Sequence, residues 1–558
     1  MNASTTLATP VRRRLRLGGW SGLTVAVAAL VAVPVVTVLA HVFVPAGEVW
    51  SHLADTVLLR YVLNTLALAV GVSVGTLMLG VGTAWLVVMC RFPGKRVFEW
   101  ALLLPLAVPT YVIAYAYTDF LQFTGPVQTL LRETFGWSAG EYWFPEIRSL
   151  GGAIALMALV LYPYVYLLSR AAFMEQSVCA LEVGRSLGRG PWRLFAGVAV
   201  PLARPAIVGG VALVLMEALN DFGAVQFFGV DTFTTGIYRT WFGLGESAAA
   251  AQLAACLLVF VIVLLALERQ SRGAARFHHS STRYRELPQY RLSTGRATLA
   301  FLACLFPVAV GFGVPALVLL NLHVEVGDAL LGTRFAGYAL NSLILATVTA
   351  LVAVGLAVLM GYGVRLQPGR ISTGAARLAS VGYAIPGSVI AVGLLIPLGW
   401  LDQQINLWAR ARFDLLPGLI LTGTMFALVY AYVVRFLAVS YNAVEASLGR
   451  ITPNMDAASR TLGKTAAGTL ARIHLPMMRS SLLAAGILVF VDVMKELPAT
   501  VILRPFNFDT LAVRAFELAS DERLAQASTS SLAIVAVGIV PVVLLSLAMR
   551  KGRPGSGA

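Results

Sequence analysis

The sequence predicts an all-α membrane protein of about 12 transmembrane helices, arranged as two homologous six-helix halves. The first observation behind this prediction is the composition. Of the 558 residues, 58% are hydrophobic and 12% are charged, and the mean hydropathy is +0.79. A soluble protein of this size cannot bury so much apolar surface, whereas a helix that crosses a bilayer needs about 20 apolar residues. The other observations are the number of such apolar runs and a long internal repeat.

Twelve apolar runs are long enough to cross a membrane. Most basic residues fall on one side of these runs if the N-terminus, with Arg12, Arg13, Arg14 and Arg16, is placed inside. This is the positive-inside bias of polytopic membrane proteins, and it predicts that both termini are cytoplasmic. It also explains the formal charge of +15 without a nucleic-acid partner. The runs span residues 20–44, 62–89, 99–121, 151–170, 204–227, 249–267, 298–320, 339–363, 376–400, 415–438, 480–501 and 529–549.

The first apolar run is interpreted as an uncleaved span, because it exceeds a signal-peptide core and lacks a convincing cleavage site. The four cysteines are expected in helices or on the inner side, where no extracytoplasmic disulfide forms. They are Cys90, Cys179, Cys256 and Cys304.

The internal repeat is clearest in one short motif, which returns 275 residues later without a gap. In both copies an arginine precedes a glycine by three residues, and a proline follows the glycine by 13. The glycine can adopt φ > 0, so it can end one short helix and turn the chain into another. The proline suits the first turn of a long helix. The matched positions are Glu182, Arg185, Gly188 and Pro201 in the first copy and Ala457, Arg460, Gly463 and Pro476 in the second.

This motif resembles the "EAA" loop of binding-protein-dependent ABC importer permeases, in which Glu-Ala-Ala-x-x-x-Gly is followed by a distant Leu-Pro. The first copy departs from that pattern at Val183, Gly184 and Val200, and the second has Ala457 at the glutamate position with Asp456 one residue earlier. The resemblance implies the type I ABC importer permease architecture in a bacterial inner membrane. It also implies that each loop is a coupling helix that docks into a groove of a cytoplasmic ATPase subunit.

The predicted organisation follows the repeat. An N-terminal tail, first helix and outer loop (1–57) precede the first permease repeat (58–268). A basic cytoplasmic linker (269–298) leads to the seventh helix and its outer loop (299–334). The second repeat (335–550) and a short cytoplasmic tail (551–558) complete the chain.

Two further features have plain interpretations. Pro109 and Pro386, matched across the repeats, are expected to kink their helices as packing features, and the alternative is a hinge beside the pathway. The adjacent His278 and His279 lie in the polar linker, and no stable metal site is predicted there.

The sequence contains no catalytic constellation. Gly463-Lys464-Thr465 is similar to the end of a phosphate-binding loop, but Ala458 stands where its first glycine belongs and no strand precedes it. We therefore expect a transport subunit rather than an enzyme, with no cofactor of its own and with ATP and Mg²⁺ on a partner ATPase.

Four acidic residues form the candidate translocation pathway. Glu217 aligns with Asp492, and Asp221 aligns with Glu496. The two acids of each helix are four residues apart and share a face, and a charge near mid-membrane costs at least about 2.5–3.5 kcal/mol. Such a cost in both repeats suggests a polar pathway between the halves. The open alternatives are that the acids pair with buried cations, such as Lys495, or cap outer loops.

The substrate is predicted to be a metal cation. Carboxylates suit a hard cation and would repel an oxyanion. The runs Leu219–Val225, Met494–Thr500 and Leu503–Ala512 are similar to those of fused two-repeat permeases of ferric iron importers. That resemblance implies two copies of an ATPase below the membrane and a periplasmic iron-binding protein above it. Related fused permeases carry thiamine or phosphonates, so these substrates remain alternatives.

A secondary transporter is the alternative from another class, because it can also have twelve helices in two repeats. It would need no ATPase and no doubled docking motif. A membrane-bound enzyme is a third possibility, and it lacks a catalytic set in this sequence.

The doubled motif predicts that both loops are needed for coupling. We expect Gly188→Pro or Gly463→Pro to break the helix-turn-helix and abolish transport while the protein still inserts, because proline cannot adopt the required turn. Transport and substrate-stimulated ATPase activity of the assembled complex measure this. Normal stimulation in both variants would refute it.

Because the two copies of the motif differ at the glutamate position, the two loops are expected to contribute unequally to coupling. Since Ala457 replaces the glutamate in the second copy, Glu182→Ala should impair coupling more than Asp456→Ala. ATPase stimulation at matched expression compares the two. An equal loss would mean that Asp456 has taken over the role of the missing glutamate.

Overall fold

The computed structural model describes residues 19–175, 186, 190–272, 289–326 and 332–551. Within these ranges, eleven helices are long and apolar enough to cross a membrane. A twelfth crossing results if the bent pair Lys95–Ala107 and Thr110–Phe135 counts as one span. Every one of them overlaps a predicted apolar run, so the all-α membrane fold is confirmed.

The α-helices are numbered in chain order. Those before the linker are α1 (Gly19–His41), α2 (Gly47–Leu53), α3 (Leu59–Met89), α4 (Lys95–Ala101), α5 (Thr110–Leu121), α6 (Pro126–Phe135), α7 (Leu150–Glu175), α8 (Pro191–Leu194), α9 (Val200–Asn220), α10 (Gly223–Phe227), α11 (Phe233–Phe242) and α12 (Ser247–Arg272). Those after it are α13 (Thr294–Val308), α14 (Val314–Val326), α15 (Thr333–Leu366), α16 (Arg370–Ala379), α17 (Gly387–Phe413), α18 (Met425–Gly449), α19 (Pro453–Thr461), α20 (Ala466–Thr469), α21 (Leu475–Met494), α22 (Pro498–Leu503), α23 (Leu511–Ser520) and α24 (Leu524–Lys551).

Within the described ranges, shorter elements join or interrupt these helices. Two 3₁₀ turns are Leu104–Ala107 and Gly382–Ala384. Four π-helical turns are Ala54–Leu58, Phe195–Ala199, Ala309–Gly313 and Leu470–His474. Two short parallel strands are β1 (Cys90–Arg91) and β2 (Tyr290–Arg291).

Pro109 and Pro386 interrupt their helices completely. Each stands immediately before an α-helix, α5 or α17, and follows a 3₁₀ turn. The preceding residues, Val108 and Ile385, are extended with ψ of 123° and 126°, because the proline ring disfavours a helical predecessor. The predicted kinks are therefore wrong. In the first half, the segments on either side of the break meet at 90°.

The prolines of the repeated motif, Pro201 and Pro476, stand in the first turn of α9 and α21, as predicted. A π-helical turn precedes each of these helices at the same place in both repeats, Phe195–Ala199 and Leu470–His474. A proline within a helical rod lacks one donor and crowds the carbonyl four residues earlier, and a wider turn relieves both problems. In the second half the rod continues without a break from Ala466 to Met494.

The first helix of each half packs against the other half. Helix α1 lies along α15, α16 and α17, and the Tyr430 hydroxyl of α18 donates to the Leu30 carbonyl at 2.8 Å. In return, the Tyr117 hydroxyl of α5 donates to the Val310 carbonyl beside α14. The two sequence repeats are therefore interlocked, and neither buries its core alone.

The ends of the linker are ordered. Helix α12 reaches Arg272 and α13 begins at Thr294, so both helices extend into the segment assigned to the linker. Strand β2 pairs with β1, and the Gln289 side chain accepts from Arg91 Nε at 3.2 Å. His278 and His279 lie outside the described residues, as does Cys179. Of the described cysteines, Cys90, Cys256 and Cys304 are free thiols.

Candidate functional site

The four acidic residues singled out in the sequence line one cavity of about 100 Å³ between the two repeats. It lies where α9 and α21 end, beside the helix break at Pro109 and the inner faces of α7 and α18. Two cations share it with the acids. The charged lining residues are Glu217, Asp221, Asp492, Glu496, Arg435 and Lys495.

Asp221 and Glu496, which lie farther from the repeated loops and form the outer pair of acids, cap two short helices. Asp221 Oδ1 accepts from the backbone N–H of Ala224 at 2.8 Å, at the start of α10. Glu496 Oε1 accepts from the backbone N–H of Ala499 at 2.9 Å, at the start of α22. A carboxylate at a helix N-terminus satisfies free donors and the helix dipole. Asp221 and Glu496 therefore match the alternative interpretation of the sequence, in which the acids cap the outer loops, and they do so in both halves.

Side-chain hydroxyls complete these caps. Thr110 donates to Asp221 Oδ2 across the break in the first half. Thr500 donates to Glu496 Oε2 at 2.7 Å, and its own N–H reaches the same oxygen at 3.1 Å. Each outer carboxylate therefore has both of its oxygens occupied. The hydrogen bonds offset the cost of burying these charges.

Glu217 and Asp492, which lie nearer the repeated loops and form the inner pair, are more exposed than the outer pair. The Glu217 side chain is 26% exposed and that of Asp492 is 23% exposed. Lys495 Nζ lies 3.1 Å from Asp492 Oδ1, so the pairing suggested from the sequence is present in the structure. Glu217 Oε1 instead accepts from the Tyr383 hydroxyl at 2.9 Å, a contact between the two repeats.

Arg435 is the site residue that the sequence reasoning missed. It lies on α18, its side chain is 6% exposed, and its guanidinium reaches acceptors on both repeats. Nη1 lies 2.8 Å from Asn220 Oδ1 and 3.5 Å from Glu496 Oε1, and Nη2 lies 4.0 Å from Glu217 Oε2. A charged residue within the apolar run 415–438 was the available signal, since such residues are rare in membrane spans. The aligned position in the first repeat is Leu167.

Gly387 allows the two repeats to approach at this point. Its backbone N–H donates to Asn220 Oδ1 at 2.5 Å. A Cβ added here would lie 2.8 Å from Glu496 Oε1 and 2.9 Å from Arg435 Nη1. The position therefore has no room for a side chain while the arginine is in place.

The cavity retains an excess of negative charge. Four carboxylates face two cations, which leaves two negative charges uncompensated when all groups are ionised. Opposite charges within 4 Å reduce the cost of burying one another, but they rarely repay it completely. A site with this balance attracts cations more than anions.

The second repeated loop has the expected helix-turn-helix form. Helix α19 contains Ala457 and Arg460, both exposed, and Gly463 follows with φ of 71°, in the left-handed region that glycine favours. Leu462 at the turn is 76% exposed, which leaves an apolar side chain free for a partner. In the first loop, Glu182, Arg185 and Gly188 lie outside the described residues.

Asp456 anchors this loop to the membrane domain. Arg365 at the end of α15 donates to Asp456 Oδ2 from Nε at 2.9 Å and from Nη2 at 2.8 Å. His474 Nε2 lies 2.8 Å from Asp456 Oδ1. The Asp456 carboxylate therefore faces the body of the protein. The predicted difference in coupling between Glu182→Ala and Asp456→Ala stays a prediction, and its measurement needs protein stability as a control.

Comparison with known proteins gives the class. A family model described as a binding-protein-dependent transport system inner membrane component matches residues 76–271. The chain is thus the permease subunit of an ABC importer, a multi-pass inner-membrane protein, and the secondary-transporter alternative is set aside. The family implies a periplasmic binding protein and a separate ATPase that hydrolyses ATP, so the chain is not itself an enzyme.

Three similar permeases are named for the compounds that their transport systems carry. The chain is 28% identical over 489 residues to the Fe(3+)-transport system permease protein FbpB 2 of Haemophilus influenzae, covering 86% of this chain and 88% of that protein. It is also 28% identical to the molybdenum transport system permease protein ModB of Escherichia coli, over 34% of this chain and 81% of the relative. A putative 2-aminoethylphosphonate permease, PhnU of Salmonella choleraesuis, is 28% identical over 40% of this chain and 78% of the relative. The first alignment spans both repeats, so the similarity to a permease named for Fe(3+) transport is not confined to one half of the chain.

The tight contact at Gly387 predicts a position-specific effect of adding one methyl group. Gly387→Ala should displace Arg435 or Glu496 and destabilise the protein by about 1–3 kcal/mol, the usual cost of overpacking. Thermal unfolding of the purified protein measures this.

The matched control is Gly399→Ala on the same helix, where a Cβ meets nothing within 4 Å. It should leave stability unchanged or raise it by about 0.5–1 kcal/mol. Equal stability of the two variants would contradict the described packing around Arg435.

Proposed function

We propose that this permease translocates Fe³⁺, delivered by a periplasmic iron-binding protein, across the inner membrane. The observation that carries the proposal is the acidic cavity between the repeats, in which carboxylates outnumber cations by four to two. The alignment over both repeats with a permease named for Fe(3+) transport supports the same substrate. The relatives named for molybdenum and phosphonate each match less than half of this chain.

Oxygen ligands suit a hard trivalent cation. In the proposed path, an ion that arrives from the periplasmic side passes the level of Asp221 and Glu496 and then meets the inner carboxylates, Glu217 and Asp492, in the open part of the cavity. They hold it weakly, because each already has a partner in Tyr383 or Lys495. Weak, multi-site contact is what passage requires, since an ion that binds tightly does not leave.

We also propose that two copies of the ATPase dock on the two repeated loops, with both chain termini on the same cytoplasmic side. ATP and Mg²⁺ are bound by that partner. The exposed Leu462, Ala457 and Arg460 supply the docking surface of the second loop. In the first loop the equivalent contact is assigned to Glu182, Arg185 and Gly188.

An oxyanion is the second candidate substrate, because Arg435 and Lys495 also face the cavity. Guanidinium and ammonium groups are common ligands of oxyanions. Both cations are already within 4 Å of a carboxylate, so little positive charge remains for an incoming anion. Thiamine, a cation without hard-metal character, is the third substrate to compare.

The acidic cavity predicts a charge-dependent loss of uptake. Glu217→Gln combined with Asp492→Asn should stop Fe³⁺ uptake and leave assembly with the ATPase intact, because the amides preserve size and remove only charge. Uptake into proteoliposomes of the complete importer, compared for Fe³⁺, molybdate, 2-aminoethylphosphonate and thiamine, measures this.

The control replaces two exposed acids outside the cavity, Glu48→Gln with Asp55→Asn. It should transport Fe³⁺ as the unmodified protein does. Persistent uptake in the cavity variant would show that these acids are structural. Failed assembly would show that they serve to hold Lys495 and Arg435. Uptake of another compound in place of Fe³⁺ by the unmodified importer would overturn the substrate assignment.

A further inference from the structure

Arg435 connects the two repeats through the cavity. It belongs to the second repeat, and its closest acceptor, Asn220 Oδ1 at 2.8 Å, belongs to the first. Glu217 of the first repeat and Glu496 of the second lie within 4.0 Å of the same guanidinium. The arginine is thus surrounded by three oxygen-bearing side chains, two on α9 of the first repeat and one that follows α21 of the second. This is the kind of environment that a bound metal cation would occupy.

The guanidinium is held loosely for a buried group. Only the contact with Asn220 is short, and the contacts with the two carboxylates are 3.5 and 4.0 Å. Its Nε has no hydrogen-bond partner among the described residues. A bidentate arginine–carboxylate pair would have two parallel bonds near 2.8 Å, and Arg435 makes no such pair in the described part of the chain. One hydrogen bond to the neutral Asn220 amide and the charges of two more distant carboxylates keep it in place, so an ion of higher charge can compete with it.

Helix packing does not require an arginine at this position. The aligned helix of the first repeat carries Leu167 there, and that helix packs in the same bundle. The other cavity cation is also confined to one repeat, since Lys495 aligns with Asn220. Lys495 pairs with Asp492 of its own helix and makes no described ion pair across the repeats. Arg435 is therefore the cation that joins them.

Arg435 also lies at the closed level of the cavity. The inner acids, Glu217 and Asp492, are about a quarter exposed. One helical turn further along, the Glu496 side chain is 3% exposed and that of Arg435 is 6% exposed. Along both α9 and α21 the open level is nearer the repeated loops. The sealed level is where the arginine crosses between the repeats.

We propose that Arg435 is a tethered counter-ion that fills the cation position of the pathway between transport cycles and sets its charge selectivity; the claim about the substrate ion rests on the proposed function. When the repeats separate, the guanidinium leaves Asn220 and Glu217, and the substrate cation takes its place beside the carboxylates. Coulomb attraction scales with charge, so a trivalent ion interacts with each carboxylate about three times as strongly as the guanidinium does at equal distance. A monovalent ion has no such advantage and is excluded.

The experiment compares passive ion flux and active uptake in proteoliposomes that contain the complete importer. Na⁺ and Mn²⁺ entry is measured without ATP, and Fe³⁺ uptake is measured with ATP and the binding protein. Arg435→Gln should raise passive entry severalfold, because the uncompensated carboxylates then attract and admit free cations. Arg435→Lys keeps the charge and should retain a low passive flux. Passive entry in Arg435→Gln equal to that of the unmodified importer would overturn the proposal.

The matched control is Arg170→Gln. Arg170 is also a buried arginine, with a 9% exposed side chain that lies 3.6 Å from Glu99, and it does not line the cavity. Passive flux should stay low in this variant. An equal leak in Arg170→Gln would show that loss of any buried arginine loosens the bundle, and the specific role of Arg435 would be refuted.

A second variant tests the proposal if Arg435→Gln fails to assemble. Asn220→Ala removes the closest acceptor of Arg435 without leaving a charge unpaired, and it should also raise passive flux. If it does not, while Arg435→Gln fails to assemble, the arginine is structural and the proposal falls. The two proposals remain separable. Leakage in Arg435→Gln without any Fe³⁺ uptake by the unmodified importer would refute iron as the substrate and retain the counter-ion role of Arg435. Fe³⁺ uptake by the unmodified importer without leakage in Arg435→Gln would retain iron as the substrate and refute the counter-ion role.

Discussion

The cost of placing charge inside an apolar bilayer is the constraint on which the centre of this protein depends. A carboxylate or cation at that depth must find a partner or a polar cavity. Asp221 and Glu496 meet this requirement as helix caps, and Lys495 meets it by pairing with Asp492. Arg435 meets it by spanning the two repeats. The interface between the repeats is polar around the cavity for this reason, and the cavity forms where the partners converge.

The same environment governs the backbone, because lipid offers no hydrogen bonds to free N–H and C=O groups. A helix break within a membrane span is therefore tolerated where protein or a polar cavity supplies partners. The break at Pro109 borders the cavity, where the Thr110 hydroxyl and a carboxylate supply polar partners. The prolines of the repeated motif are instead accommodated by π-helical turns within continuous rods. The irregular backbone and the buried charges thus support one another at the same place.

The repeated loop of the second half and the cavity share a structural element. Asp456 ties the loop helix to Arg365 at the end of α15. After Gly463, one helical rod runs from Ala466 to Met494 and carries Asp492 near its far end. A displacement at the loop and a change in the cavity therefore act on the same rigid helix. Under the proposed docking, this helix connects the ATPase partner physically to the charges that line the cavity.

Hydropathy and periodicity in the sequence alone determined the twelve spans and the two repeats, and the doubled motif indicated the class, because these features are local or repeat along the chain. The left-handed turn at Gly463 was also predictable, since only nearby residues decide it. Only the tertiary structure decided how the charges pair. Arg435 and Asn220 are 215 positions apart in the chain, yet their side chains meet in the cavity. No local pattern specifies such contacts, because they arise when helices from different repeats pack together and must compensate one another's buried charge.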